Sequence, residues 1–311
     1  MKKPLIILNP AARSEKAGQL IERIRRLVDR GVGAEIRMST TPGESEKIAA
    51  DGVKEGFNAI IAAGGDGTIN EVVNGIAVAV KKSHGHGDGD PDVRLGILPV
   101  GTMNVFAFEL GIPLYSLEKA WEIIERGTLR WLDLPRCSTS EGARYFVQLA
   151  GVGLDAEVVQ RTTRESKKAL GPLSYLLSLA QVVGNKAPEI TITTGERTEH
   201  RGSFVLLGNG RFYGGPFKFF RNGSPSDGLL DVLVFHNQSA WDLLRYMHAI
   251  MIGQHADLRD VDYFQTASLE MISEEPVPYE LDGELTGILP ISFSLERHAL
   301  PVFVPTQCAT N

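Results

Sequence analysis

Apolar positions in the first 130 residues follow two alternating patterns. Short runs at Leu5–Leu8, Ala34–Met38, Ala59–Ala63 and Leu95–Leu98 read as strands. Between them, Lys16–Arg30 carries Leu20, Ile21, Ile24, Leu27 and Val28 at helical spacing. Glu44–Lys54, Thr68–Val80, Asn104–Leu110 and Ser116–Arg126 also read as helices. Repeated strand–helix units predict a parallel sheet covered by helices. After Arg130 the texture changes. Apolar or alternating runs at Arg144–Ala150, Glu189–Thr194, Ser203–Gly208, Leu229–Phe235, Ser268–Ile272, Val277–Leu281 and Ile291–Leu295 are separated by turn residues. Only Leu170–Val183 and Ala240–Ile252 interrupt them as helices. This predicts a β-rich second domain.

The 311 residues exceed what one core usually serves, which supports two domains. The expected division is 1–130 and 131–297, with no internal repeat and no long linker, so a cleft between the domains is expected. Formal net charge is -6, which argues against nucleic acid as the main partner. The two cysteines, Cys137 and Cys308, show no zinc-ligand spacing and fit a reduced, cytoplasmic setting. The apolar run after Met1-Lys2-Lys3-Pro4 is too short for a signal peptide. No apolar stretch is long enough to cross a bilayer, so membrane association is expected to be peripheral.

The chemistry concentrates where strands end. Gly64-Gly65-Asp66-Gly67-Thr68-Ile69-Asn70 follows the third strand, and Gly101-Thr102-Met103-Asn104 follows the fourth. Glycines there let backbone N–H groups approach phosphate with no Cβ in the way. Two such loops at successive strand ends predict one ligand-binding edge of a parallel sheet. Asn9-Pro10 and Thr40-Thr41-Pro42-Gly43 end the first two strands at that edge. Asn9 is placed to bond a nucleotide, and Thr41 to contact phosphate or cap a helix. Glu71 reads as favouring its own helix dipole, and Gly75 as a close-packing position. The run Ser83-His84-Gly85-His86-Gly87-Asp88-Gly89-Asp90 reads as a solvated loop, because its glycine-rich spacing fixes no metal geometry.

These motifs together resemble the diacylglycerol kinase catalytic-domain family, which includes bacterial soluble lipid kinases and sphingosine kinases. The resemblance continues through Gly151-Val152-Gly153-Leu154-Asp155-Ala156, Gly208-Asn209-Gly210, Asp227-Gly228-Leu229-Leu230-Asp231 and Leu281-Asp282-Gly283-Glu284. It implies an α/β nucleotide-binding domain of the NAD kinase and phosphofructokinase type, a β-sandwich-rich domain, and an active site in the interdomain cleft. The C-terminal tail, 298–311, would return to the first domain.

The reaction implied is transfer of the γ-phosphoryl group of ATP to a lipid hydroxyl, with Mg²⁺. Asn9, Thr41, Gly64, Gly65, Asp66, Gly67, Thr68, Asn70, Gly101, Thr102 and Asn104 would hold the nucleotide. Asp66 would also organise metal and phosphate, and Asp282 or Glu284 would take the acceptor's proton. Asp-Gly at 282–283 also reads as a hairpin turn. Asp227, with the backbone carbonyls of Ser224 and Leu229, would form a structural Mg²⁺ site. Phe217-Lys218-Phe219-Phe220-Arg221-Asn222 departs from the family pattern beside that loop, and Val105 replaces a carboxylate after Asn104.

The acceptor would be diacylglycerol or a related lipid, met at the membrane surface by an otherwise cytoplasmic protein. Leu170–Leu179, with Arg161, Arg164, Lys167 and Lys168, is a candidate for lipid contact. A homodimer is compatible with the resemblance. Two rival readings are an NAD kinase-like enzyme acting on a soluble metabolite and a non-catalytic nucleotide or lipid sensor.

Overall fold

Four apolar runs near the N-terminus form parallel strands, β1 (Leu5–Leu8), β2 (Glu35–Met38), β3 (Ala59–Gly64) and β4 (Arg94–Pro99). The computed structural model describes residues 4–10, 17–30, 33–84, 93–161 and 188–306. The chain divides into two compact units, 1–134 with 297–311, and 135–296.

In the first unit the strand order is β2-β1-β3-β4. Leu5–Leu8 and Ala59–Ala63 are fully buried, as expected of strands covered on both faces. The helices are α1 (Ala17–Arg30), α2 (Glu44–Lys54), α3 (Asp66–His84), α4 (Val105–Glu109) and α5 (Leu117–Arg126). Ser116 caps α5 by accepting from Lys119 N at 3.3 Å, and Gly127 ends it at φ 71°. Helices α2 and α3 touch at Gly75, where a Cβ would stand 2.2 Å from the Glu46 carbonyl oxygen. Only glycine permits that approach. Helix α3 begins two residues earlier than its apolar spacing predicts, so Asp66 lies in its first turn. It also runs on through Lys81–His84, where the glycine-rich loop was expected to have begun; residues 85–92 lie outside the described residues.

The second unit contains two antiparallel sheets. Its elements are the later part of β5 (Leu129–Thr139), β6 (Gly142–Tyr145), β7 (Leu149–Val152), α6 (Leu154–Arg161), β8 (Ile190–Thr194), β9 (Glu199–Gly202) and β10 (Phe204–Gly208). The short pair β11 (Phe212–Tyr213) and β12 (Phe217–Lys218) follows, then β13 (Leu230–Phe235) and α7 (Ala240–Met251). The remaining strands are β14 (Val261–Thr266), β15 (Ser268–Ile272), β16 (Pro278–Leu281), β17 (Glu284–Ile288) and β18 (Ile291–Phe303).

One sheet has the order β14-β13-β10-β7-β16-β17. The other contains β15, β8 and β9 with the first residues of β18. Alternate residues of β10 serve two cores. Val205 and Leu207 pack with Ile192, Met271 and Phe293 of the second sheet, while Phe204 and Leu206 pack under α6 and α7 with Val158 and Tyr246. Strand β18 ends in the first unit, where Val302 pairs with Leu95 of β4. Cys137 is buried in the sandwich core, and burial pushes its thiol up to about 11. Cys308 lies outside the described residues.

Arg144–Ala150, predicted as one strand, is two. Strand β6 ends at Tyr145 and β7 starts at Leu149. From Val147 to Leu149, three successive backbone N–H groups point at one carboxylate, that of Asp282. A regular strand alternates its N–H directions and cannot make that arrangement.

Candidate functional site

The connection from β2 to β3 crosses over β1, so β1 lies between them in the parallel sheet. The strands' carboxyl ends therefore bring together, in order, Thr40–Gly43, Asn9-Pro10, Gly64–Thr68 and Val100–Asn104. Ligands of open parallel sheets bind at such a switch point. Asn9 N donates to Ala63 O at 3.0 Å and ties the first strand end to the third. Gly64 O accepts from both Val100 N and Gly101 N, at 3.0 and 3.1 Å, and ties the third to the fourth. A Cβ on Gly101 would stand 2.5 Å from Gly65 Cα, so the two loops meet backbone to backbone.

Asp66 joins the same two loops. Its Oδ1 accepts from Phe106 N at 3.2 Å. Helix α4 has no side-chain cap of its own at Asn104, so Asp66 caps it from the neighbouring loop. Burial pushes the Asp66 carboxyl above its ordinary value, and backbone donors at Phe106, Val105 and Asn104 offset only part of that rise. Asn104 sits at φ 50° and closes the Gly101 loop on itself. Its Nδ2 donates to Gly101 O at 2.8 Å and its Oδ1 accepts from Gly101 N at 3.2 Å. Thr102 is exposed, whereas Thr68 is buried with its hydroxyl over Gly64. Asn70 is buried in α3 and accepts from Asn74 Nδ2 at its carbonyl and side-chain oxygens.

Thr41 N and its hydroxyl donate to Glu44 Oε2 at 3.1 and 3.3 Å. Glu71 has a task its spacing does not reveal. It accepts from Gly43 N at 2.8 Å and Ser45 N at 3.1 Å, capping α2 rather than its own helix. These contacts fix the loop after β2.

The second unit holds a separate carboxylate cluster. Asp282 and Gly283, at φ 49° and 84°, form the two-residue hairpin turn between β16 and β17. Asp282 Oδ2 accepts from Val147 N at 2.8 Å, and Oδ1 from Gln148 N and Leu149 N at 3.0 and 3.1 Å. Asn209 Nδ2 holds the same segment through Val147 O at 3.1 Å. Glu284, first residue of β17, is exposed. Asp282→Ala would leave three buried amides without that acceptor, and we expect a loss of at least about 2 kcal/mol. Urea unfolding checks this; Asp282→Asn, which keeps one acceptor oxygen, should lose less.

Two further carboxyls, Glu280 and Asp155, lie beside this turn, and sequence reading assigned them no role. Glu280 is fully buried. The available signal was a glutamate in the otherwise closed strand Pro278–Leu281, four residues before Glu284.

The Asp227 loop supplies hard oxygen donors. Asp227 is exposed, and its Oδ1 accepts from Leu229 N at 3.0 Å across Gly228, which has φ 81°. One carboxylate with the Ser224 and Leu229 carbonyls suits Mg²⁺, which completes its shell with water. At the carboxyl edge of the parallel strands Asp66 offers the same donor type. Among the described residues there is no group of three or more His, Cys, Asp or Glu. Asp231 nearby is pushed up to about 6, first by burial, with the charge of Asp227 adding to the rise.

The atypical Phe217–Asn222 segment accommodates its bulk locally. Phe220 is fully buried against Gly208, where a Cβ would stand 2.3 Å from its ring. Leu170–Leu179 with Arg164, Lys167 and Lys168 lies outside the described residues, and Arg161 is the last residue of α6.

Residues 3–137 match the model of the diacylglycerol kinase catalytic domain. Residues 148–304 match the YegS C-terminal NAD kinase beta sandwich-like domain. The chain is 30% identical over 313 residues to a protein named diacylglycerol kinase from Bacillus subtilis (strain 168), covering 99% of this chain and 98% of that one. It is 30% identical over 282 residues to a "Probable lipid kinase YegS-like" protein of Xanthomonas euvesicatoria, covering 90% and 88%. A crystal structure described as a diacylglycerol kinase from Bacillus anthracis str. Sterne superposes with a TM-score of 0.77 at 23% identity, covering 98% of this chain and 97% of that one, a likeness of fold.

Proposed function

Because this chain belongs to the diacylglycerol kinase catalytic-domain family, we propose that it transfers the γ-phosphoryl group of ATP to the hydroxyl of diacylglycerol or a related lipid. The observation that carries this reading is the backbone contact of Gly65 with Gly101, bridged by Asp66. It makes a Cβ-free surface beside the N-terminus of the 19-residue helix α3, suited to phosphate oxygens. In this reading Gly64–Thr68 holds the phosphates, Asn9, Thr41, Asn70, Gly101 and Thr102 border the nucleotide, and Asn104 keeps the Gly101 loop in shape.

Mg²⁺, when bound, would neutralise phosphate charge, with Asp66 as the carboxylate that would hold it. Asp227 and the backbone carbonyls of Ser224 and Leu229 would hold a second, structural Mg²⁺. Glu284 is the base. It accepts the acceptor's hydroxyl proton as that oxygen bonds to the γ-phosphorus and the bond to ADP breaks. Asp282 is less suited, because three backbone amides occupy its oxygens; it shapes the turn that presents Glu284.

The lipid acceptor implies work at a membrane surface. Among the described residues, no helix is long and apolar enough to cross a membrane. The test is transfer of labelled γ-phosphate from Mg-ATP to micellar lipids, with NAD as a soluble control. Labelled diacylglycerol product is expected. Labelled NADP instead would favour the soluble-metabolite reading. ATP binding with no transfer to any acceptor would favour a sensor.

A further inference from the structure

Gly151 of β7 and Glu280 of β16 stand directly opposite each other in the antiparallel ladder. Their side-chain positions share one face of the sheet. A Cβ on Gly151 would lie 2.0 Å from Asp155 Oδ2, so the Asp155 carboxyl, reaching back from the first turn of α6, fills the space beside Glu280. The Asp155 carboxyl is close enough for its charge to raise Glu280. Both carboxyls are acceptors when ionised, so a hydrogen bond between them requires a proton. The remaining contacts indicate which carboxyl carries it. The Tyr213 hydroxyl donates to Asp155 Oδ1, which favours an ionised Asp155. Glu280 Oε2 accepts from Gly283 N at 2.5 Å, while Glu280 Oε1 meets no N–H or other hydroxyl donor among the described residues.

We propose that Glu280 and Asp155 share a single proton, carried on Glu280 Oε1, and that Glu280 thereby acts as a positioning residue that holds the Asp282–Glu284 turn through Gly283. The second half rests on the proposed kinase function; the first does not. Glu280 faces acids from the neighbouring elements. Asp155 comes from α6 and Asp282 from the turn, with the Tyr213 hydroxyl from β11. Burial raises the Glu280 carboxyl well above its usual range, and the charges of Asp155 and Asp282 raise it further. Loss of the shared proton would leave two buried anions in contact, and their repulsion would pull Glu280 away from Gly283.

The sign of the pH dependence follows. Folded protein retains a proton on Glu280 that the unfolded chain loses above its ordinary value of about 4.3. Stability is therefore highest below that value and is lost as pH rises toward the folded value. Glutamine does not titrate and makes both bonds, with Nε2 donating to Asp155 and Oε1 accepting from Gly283.

The experiment compares thermal unfolding of the full chain and of Glu280→Gln from pH 4.5 to 9, alongside the pH profile of kcat. The expected result is that the variant's midpoint exceeds the wild type's by an amount that grows with pH, reaching at least about 3 °C. The decline of kcat at high pH should disappear in the variant, with KM for ATP unchanged. Parallel midpoint curves would overturn the shared proton. So would a variant that fails to fold, since glutamine meets every proposed bond. Asp155→Asn, whose amide supplies the missing donor, should likewise flatten the midpoint curve; a curve as steep as the wild type's would overturn the proposal. A flattened midpoint curve with an unchanged kcat profile would overturn the positioning role alone. Absence of phosphate transfer by the wild type would count against the kinase reading, and the unfolding curves would still decide the proton.

Discussion

Glu284→Gln is expected to lower kcat for lipid phosphorylation by about 10²–10⁴-fold, the usual worth of a general base. The unfolding midpoint and KM for ATP should stay within error of the wild type. The side chain is exposed at the first position of β17, so a near-isosteric amide disturbs little packing. What it loses is the ability to take a proton from the attacking hydroxyl. Steady-state kinetics with saturating lipid, paired with calorimetric unfolding, measures both. Full turnover in Glu284→Gln would exclude it as the base. The contrast with Asp282→Ala is diagnostic, because that change should cost stability through the Val147, Gln148 and Leu149 amides.

Asp66→Ala is expected to lower kcat/KM for ATP by about 10²-fold or more, the scale of removing one group that stabilises developing charge. It should also cost about 0.5–2 kcal/mol, the range for losing a helix cap. Both effects trace to one carboxylate, which caps α4 through Phe106 N and is the proposed anionic oxygen at the nucleotide edge. Asp66→Asn separates them. Its amide oxygen can still accept from Phe106, and burial, which opposes the charge on Asp66, opposes an amide far less. Asp66→Asn should therefore match or exceed wild-type stability while remaining as inactive as Asp66→Ala. Titration with Mg-ATP, together with unfolding midpoints, checks the pair. If Asp66→Asn kept wild-type kcat/KM, the charge at 66 would have no part in nucleotide chemistry.

The periodic elements were legible because their signals are local. Helix α2 and strands β1 and β15 have the bounds that apolar spacing predicts. Gly75 read as a packing residue, and α3 does meet α2 there. Signals failed where a distant residue set the backbone. The break between β6 and β7 depends on Asp282, more than 130 residues away. Strand β18 runs to Phe303, well past the predicted Leu295. Val261–Thr266, not singled out by the pattern of runs and turns, is recruited as β14 by pairing with β13.

For this protein the sequence alone determined the α/β and β-rich halves, the glycine loops at strand ends, and the family. Each of these depends on side-chain period, on turn chemistry, or on motif order along the chain. Only the tertiary structure decided what surrounds each carboxylate. Asp66, Asp282 and Glu71 are each bound to amides of another segment, Glu284 is exposed, and Glu280 is buried against Asp155. A carboxylate's role depends on what surrounds its oxygens, and those neighbours are brought together by folding.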